Sequence, residues 1–126
     1  MIITESKNEN YLTEVTNQSA VIFCDSSEKK GEDEHYLSPH ELLCAGLASC
    51  LNITTRMILD HKSIAYDKVI TKVDLDKSED NIAKFMYHID ILGDIPDETK
   101  QHIKDIAKNS PVIKTLLREI EFGIME

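Results

Sequence analysis

"SPHELLCAGLASCLN", residues 38–52, is the stretch on which the fold turns. Ser38 stands where a helix N-cap belongs, and Pro39 suits the first helical position. Glu41, three residues after the cap, completes a capping box. Apolar residues from Leu42 to Leu59 then run nearly round the helix circumference until Thr54, Thr55 and Arg56 interrupt them. A helix that is apolar all round is a buried one, so a buried central helix is expected. The same stretch carries two of the chain's three cysteines, Cys44 and Cys50.

On either side of this helix the pattern changes to short β runs. "MIITES", "YLTEVTN" and "AVIFCD" are rich in β-branched and aromatic residues and are separated by polar turn material, which predicts a three-strand meander. The segment from Ser26 to Tyr36 is almost devoid of apolar residues and predicts a solvated loop. After the helix, "YDKVITKVDLD" and "NIAKFMYHIDILG" alternate with period two around a "KSED" connection, as in a hairpin. "IPDETKQHIKDIAKN" places Ile103 and Ile106 on one face of a polar helix that Asp97 can cap. "SPVIKTLLR" predicts a short helix capped by Ser110, and "EIEFGIM" a closing strand. The order βββαββααβ is that of an α+β domain.

With 126 residues the chain is expected to form a single domain spanning 1–126. Its formal charge of -9 opposes attraction to nucleic acid and to anionic membrane, both of which need basic patches. The N-terminal stretch "MIITESKNENYLTEV" lacks the pattern of a signal peptide, so a cytoplasmic protein is expected. In that reducing compartment Cys24, Cys44 and Cys50, without C-x-x-C spacing, make poor material for structural disulfides or a zinc site. Two thiols six residues apart on a helix are separated by about 9 Å of rise and diverge by roughly 120°. Cys44 and Cys50 therefore cannot bridge within it. His35, His61, His88 and His102 form no metal spacing, and neither a metal nor a cofactor is expected.

Ser38, Pro39, Glu41, Leu42, Leu43, Ala45, Ser49 and Cys50 reproduce the pattern "SP-x-E-L-L-x-A-x-x-x-S-C". "IAKNSPVIKTL", residues 106–116, reproduces a later block, "I-A-x-x-C-P-V-x-K/R-T-L", except for one residue. In both blocks, and in their order, the chain resembles the OsmC/Ohr family (osmotically inducible protein C and organic hydroperoxide resistance proteins). The resemblance implies an OsmC-like α+β fold assembled as an intertwined homodimer, with the central helices in a shared core and two sites at the interface. It places Cys50 on the family's peroxidatic cysteine, whose thiolate attacks a hydroperoxide and becomes a sulfenic acid.

The second family thiol falls on Ser110, which cannot form a disulfide. Where the hydroperoxide-resistance branch has a glutamate directly after the proline, this chain has His40, with Glu41 next. That branch also draws a supporting arginine from its N-terminal region, whereas the arginines here are Arg56 and Arg118. The candidate catalytic residues are thus Cys50, His40 and Glu41, and Ser110 and Lys114 are candidate binding residues. His40 or Lys114 can support a thiolate as a nearby cation. As alternatives, His40 is a solvated first-turn residue, Lys114 a surface lysine and Ser110 a helix cap, while Cys24 and Cys44 are core residues. The function implied is thiol-dependent reduction of an organic or small hydroperoxide through Cys50. An external thiol reductant, or Cys24 or Cys44 after rearrangement, would resolve the sulfenic acid. The alternatives are a non-catalytic OsmC-fold protein that binds a small hydrophobic or thiol-bearing ligand at the dimer interface, and a purely structural thiol.

Overall fold

The computed structural model describes residues 1–26 and 36–126. The solvated loop expected between residues 26 and 36 falls on 27–35, outside the described residues, as does His35. The chain divides into two compact units, Met1–Leu43 and Cys44–Glu126.

In the first unit, β1 (Ile3–Ser6), β2 (Thr13–Thr16) and β3 (Val21–Cys24) form the expected antiparallel meander, in the order β1-β2-β3. Its second turn is specified by side chains. Asn17 Oδ1 accepts from the backbone N–H groups of Ser19 and Ala20 at 2.9 and 2.8 Å, and Thr16 Oγ1 accepts from that of Gln18. Gln18 takes the left-handed backbone, φ 78°, that closing this turn requires.

The long helix α1 (Pro39–His61) begins with the capping box written in its sequence. Ser38 N–H donates to Glu41 Oε2 at 2.9 Å, and Glu41 N–H to Ser38 Oγ at 3.4 Å. Leu47, Leu51, Thr55 and Leu59 recur every fourth residue along its buried face. Only that face is covered. Ile53 and Met57, on the opposite side, are exposed in the single chain.

In the second unit the strands β4 (Lys68–Glu79) and β5 (Ile82–Leu92) form one long antiparallel hairpin. Its register sets Val69 opposite Ile91, Thr71 opposite Ile89, Val73 opposite Tyr87 and Leu75 opposite Phe85. These pairs share the inner face; Lys72 with His88 and Asp76 with Lys84 lie on the outer, polar one. The inner face closes over α1. Asn52 Nδ2 donates to Val69 O at 2.9 Å, and Thr71 Oγ1 donates to Ala48 O at 2.8 Å, so polar bonds fix how the helix lies on the sheet. The "KSED" connection is shorter than expected. Lys77 to Glu79 continue β4 through an irregularity after Asp76, and Asp80 and Asn81 alone make the turn.

Two helices finish this unit: α2 (Asp97–Ala107) and α3 (Pro111–Leu116). Ile103 and Ala107 of α2 are fully buried with Leu47, Leu51, Val69, Ile89 and Ile91 in one core. Asp97 is not its cap: Pro96 holds that position without a side-chain bond, and Asp97 contributes only a negative charge in the first turn. Gly93 (φ +148°) lets the chain pass between β5 and α2, because a Cβ there would stand 3.2 Å from Tyr66 Cα.

Among the described residues the closing strand expected at 119–125 is not formed: the segment has no ladder partner there, and Phe122 and Ile124 are 97% and 96% exposed. Its alternation of Ile120, Phe122 and Ile124 suits a half-buried strand, but a strand needs an edge to pair with.

Removing a core side chain where helix and hairpin meet should be costly. Leu51→Ala is expected to lower the unfolding free energy by about 2–5 kcal/mol, read from the urea midpoint. A loss within about 0.5 kcal/mol, as at an ordinary surface site, would contradict this packing.

Candidate functional site around Cys50

Cys50 lies midway along α1, half-buried, on the face turned away from the core. Gly46, Cys50, Ile53 and Met57 follow one another at spacings of four, three and four residues, so they form a single stripe along the helix. Ile53 is 45% and Met57 66% exposed. A Cβ added at Gly46 would meet nothing within 4 Å among the described residues. Sγ of Cys50 lies 3.9 Å from Oγ1 of Thr54, one helical turn on. Thr54 entered the sequence reading only as an interruption of the apolar run; the signal that identifies it is its i+4 spacing from Cys50.

Two open grooves border α1 in this unit. One, of about 430 Å³, is lined by Ala48, Ser49, Asn52, Arg56 and Thr71 among others. The other, of about 410 Å³, is apolar and is walled by Leu47, Phe85, Tyr87, Ile113 and Leu116, with Lys84 at its lining.

The remaining candidates stand in other settings. Glu41 is occupied in the capping box, its Oε2 accepting from Ser38 N–H, which is a structural role. His40 is exposed in the first turn of α1 and lines a cleft of about 730 Å³ in the first unit with Lys7, Cys24 and Asp25. Lys114 is exposed on α3, its backbone N–H bonded to Ser110 O at 3.1 Å. Among the described residues no hydrogen bond or ion pair joins Cys50 to His40, Glu41, Ser110 or Lys114.

Ser110 sits at the cap position of α3 but does not cap it. Its hydroxyl makes no side-chain cap bond, is fully buried, and has no hydrogen-bond partner among the described residues. A group less polar than a hydroxyl would suit that place better.

All three cysteines are thiols rather than disulfides. Cys24 is buried, with Sγ 3.8 Å from Asp25 O, and burial pushes its thiol pKa up. Cys44 is half-buried, on the side of α1 that continues the buried face of Leu47 and Leu51.

The model of the OsmC-like protein family matches residues 31–125. The chain belongs to the OsmC-like family. Solved structures agree on the fold. An OsmC-like protein from Mycoplasma pneumoniae is 20% identical, with a TM-score of 0.76 over 92% of this chain and 85% of that one. The organic hydroperoxide resistance protein OhrB of Bacillus subtilis is 16% identical, with a TM-score of 0.63 over 93% and 90%. An organic hydroperoxide resistance protein OsmC from Legionella pneumophila is 18% identical, with a TM-score of 0.61 over 93% and 89%. No curated protein matches the chain significantly. At these identities the structural likeness shows the OsmC-like α+β fold.

Three outcomes follow for this OsmC-like chain. Ser110→Ala should leave the urea midpoint unchanged or raise stability by up to about 1 kcal/mol, since it removes an orphaned hydroxyl. A loss of that size would reveal a partner for Ser110. A short iodoacetamide pulse at neutral pH should modify Cys50 and spare Cys24, as peptide mass spectrometry would show; equal labelling would contradict the burial of Cys24. Because the fold favours the protonated Cys24 thiol, its contribution to stability is full below the unfolded thiol's pKa and is lost as pH rises through the folded one.

Proposed function

We propose that the protein is a thiol-dependent antioxidant protein that reduces an organic or small hydroperoxide through Cys50. The observation that carries this reading is the place of Cys50: at the family's motif position and half-open to solvent on the uncovered face of α1, where a peroxide can reach it. Membership of a family that includes organic hydroperoxide resistance proteins supports the same chemistry. The thiolate attacks one peroxide oxygen and breaks the O–O bond; the other oxygen leaves as an alkoxide and takes a proton to become the alcohol. Cys50 is left as a sulfenic acid. With Ser110 in place of the second thiol, an external low-molecular-weight thiol condenses with the sulfenic acid, releasing water and forming a mixed disulfide. A second equivalent of that thiol restores Cys50 and leaves as the oxidised disulfide.

The protein acts as a homodimer in this reading. Ile53 and Met57 on α1, Met86 and Tyr87 on β5, and Phe122 and Ile124 in the C-terminal segment are all exposed large apolar residues, more than one soluble chain ordinarily leaves in water. A second copy that covers them turns the α1 stripe into part of a shared core. By length and composition alone α1 could also cross a membrane. Its buried Leu47, Leu51, Thr55 and Leu59 give it the pattern of a core helix instead, and we place the protein in the cytosol.

A second reading takes its support from the apolar groove between Leu47, Phe85 and Ile113, which suits a small hydrophobic or thiol-bearing ligand held without turnover. Consumption of an organic hydroperoxide by the purified protein, with a dithiol as reductant, separates the two. The wild-type chain is expected to turn over and Cys50→Ser to fall to the uncatalysed rate. Equal rates would remove the peroxidase reading, and a ligand retained in native mass spectra alongside an unoxidised Cys50 would favour binding.

A further inference from the structure

A threonine inside a helix ordinarily returns its hydroxyl proton to the carbonyl four residues earlier. Thr55 does so, donating to Leu51 O at 2.7 Å, and so does Thr115, donating to Pro111 O at 3.0 Å. Thr54 departs from that habit: the contact its hydroxyl makes among the described residues is with Cys50 Sγ, at 3.9 Å. Residues four apart lie one above the other on a helix, so the pairing is built into α1 and needs no loop to hold it. Both residues are half-buried, so water competes only partly for the contact.

While Cys50 is a thiol, either atom can donate. Once the sulfur loses its proton it can only accept, and the Thr54 hydroxyl must turn its hydrogen towards it. A hydrogen bond to the charged form of a group favours that form, and charge-assisted bonds are the stronger ones. β-Branching limits the rotamers open to Thr54, so little freedom is lost in holding the hydroxyl there. Among the described residues Arg56, Lys84, Lys114 and the outward His88 and Asp90 make no hydrogen bond or ion pair with Cys50.

We propose that Thr54 is the positioning residue of Cys50, donating its Oγ1 hydrogen to the Cys50 thiolate and so raising the share of the thiol that is ready to react. The inference rests on the reading of Cys50 as the working thiol, but its test does not depend on peroxide turnover.

The test is the rate of Cys50 alkylation by iodoacetamide against pH, read on the Cys50 peptide by mass spectrometry, in the wild-type chain, Thr54→Val and Thr54→Ser. Valine keeps the shape and removes the hydroxyl; serine keeps the hydroxyl. Thr54→Val should react about tenfold more slowly at neutral pH, the order expected for loss of a hydrogen bond to a charged group. It should reach the wild-type plateau at high pH, where every thiol is ionised. Thr54→Ser should follow the wild-type profile. A Thr54→Val profile that superimposes on the wild type overturns the proposal, and so does an equal loss in both variants. Should the wild-type protein fail to consume hydroperoxide, the peroxidase reading falls, while the alkylation profiles still decide the role of Thr54.

Discussion

Leu47, Leu51 and Leu59 of α1 leave water against Val69, Ile89 and Ile91 of the β4–β5 hairpin, and the second unit depends on that burial. A two-stranded hairpin is at best marginally stable alone, and α2 is polar apart from its one buried face. Each large side chain taken fully out of water contributes roughly 1.5–3 kcal/mol, so the helix–hairpin contact is the main source of cohesion. The bonds from Asn52 to Val69 O and from Thr71 to Ala48 O then fix its geometry, because leaving the part-buried Asn52 amide or Thr71 hydroxyl unpaired would be costly.

That packing also decides where the chemistry can be. A helix has two sides, and committing Leu47, Leu51, Thr55 and Leu59 to the hairpin turns Gly46, Cys50, Ile53 and Met57 outward. Cys50 is thereby kept half-open to solvent, whereas Cys24 is buried and its thiol pKa is pushed up by that burial. Cys24 and Cys50 are the same side chain in opposite settings, and the fold makes only one of them accessible. Ser110 completes the contrast, a buried hydroxyl with no hydrogen-bond partner among the described residues.

Much of this was legible in the sequence wherever the cause is local. The capping box of Ser38 and Glu41 and the alternation of the hairpin strands rest on short-range patterns that the structure reproduces, and the two sequence blocks pointed to the family whose model matches the chain. What was not legible depends on partners far along the chain or outside it. Asp97 and Ser110 have cap-forming chemistry, but their backbone settings give the side chains no cap bond. The alternation at 119–125 is that of a strand, yet no strand edge pairs with it. The apolar circumference of α1 reads as full burial because composition does not say that one half of it faces away from its own chain. The contact of Thr54 with Cys50 was not legible for a related reason: it depends on the direction of one hydroxyl.

The central claim is that Cys50 is the thiol that meets the peroxide, and it is tested most directly by adding one equivalent of an organic hydroperoxide to the reduced protein in the presence of dimedone and mapping the product by mass spectrometry. A single dimedone adduct on the Cys50 peptide is the predicted result. An unmodified Cys50, or an adduct confined to Cys24 or Cys44, would contradict it.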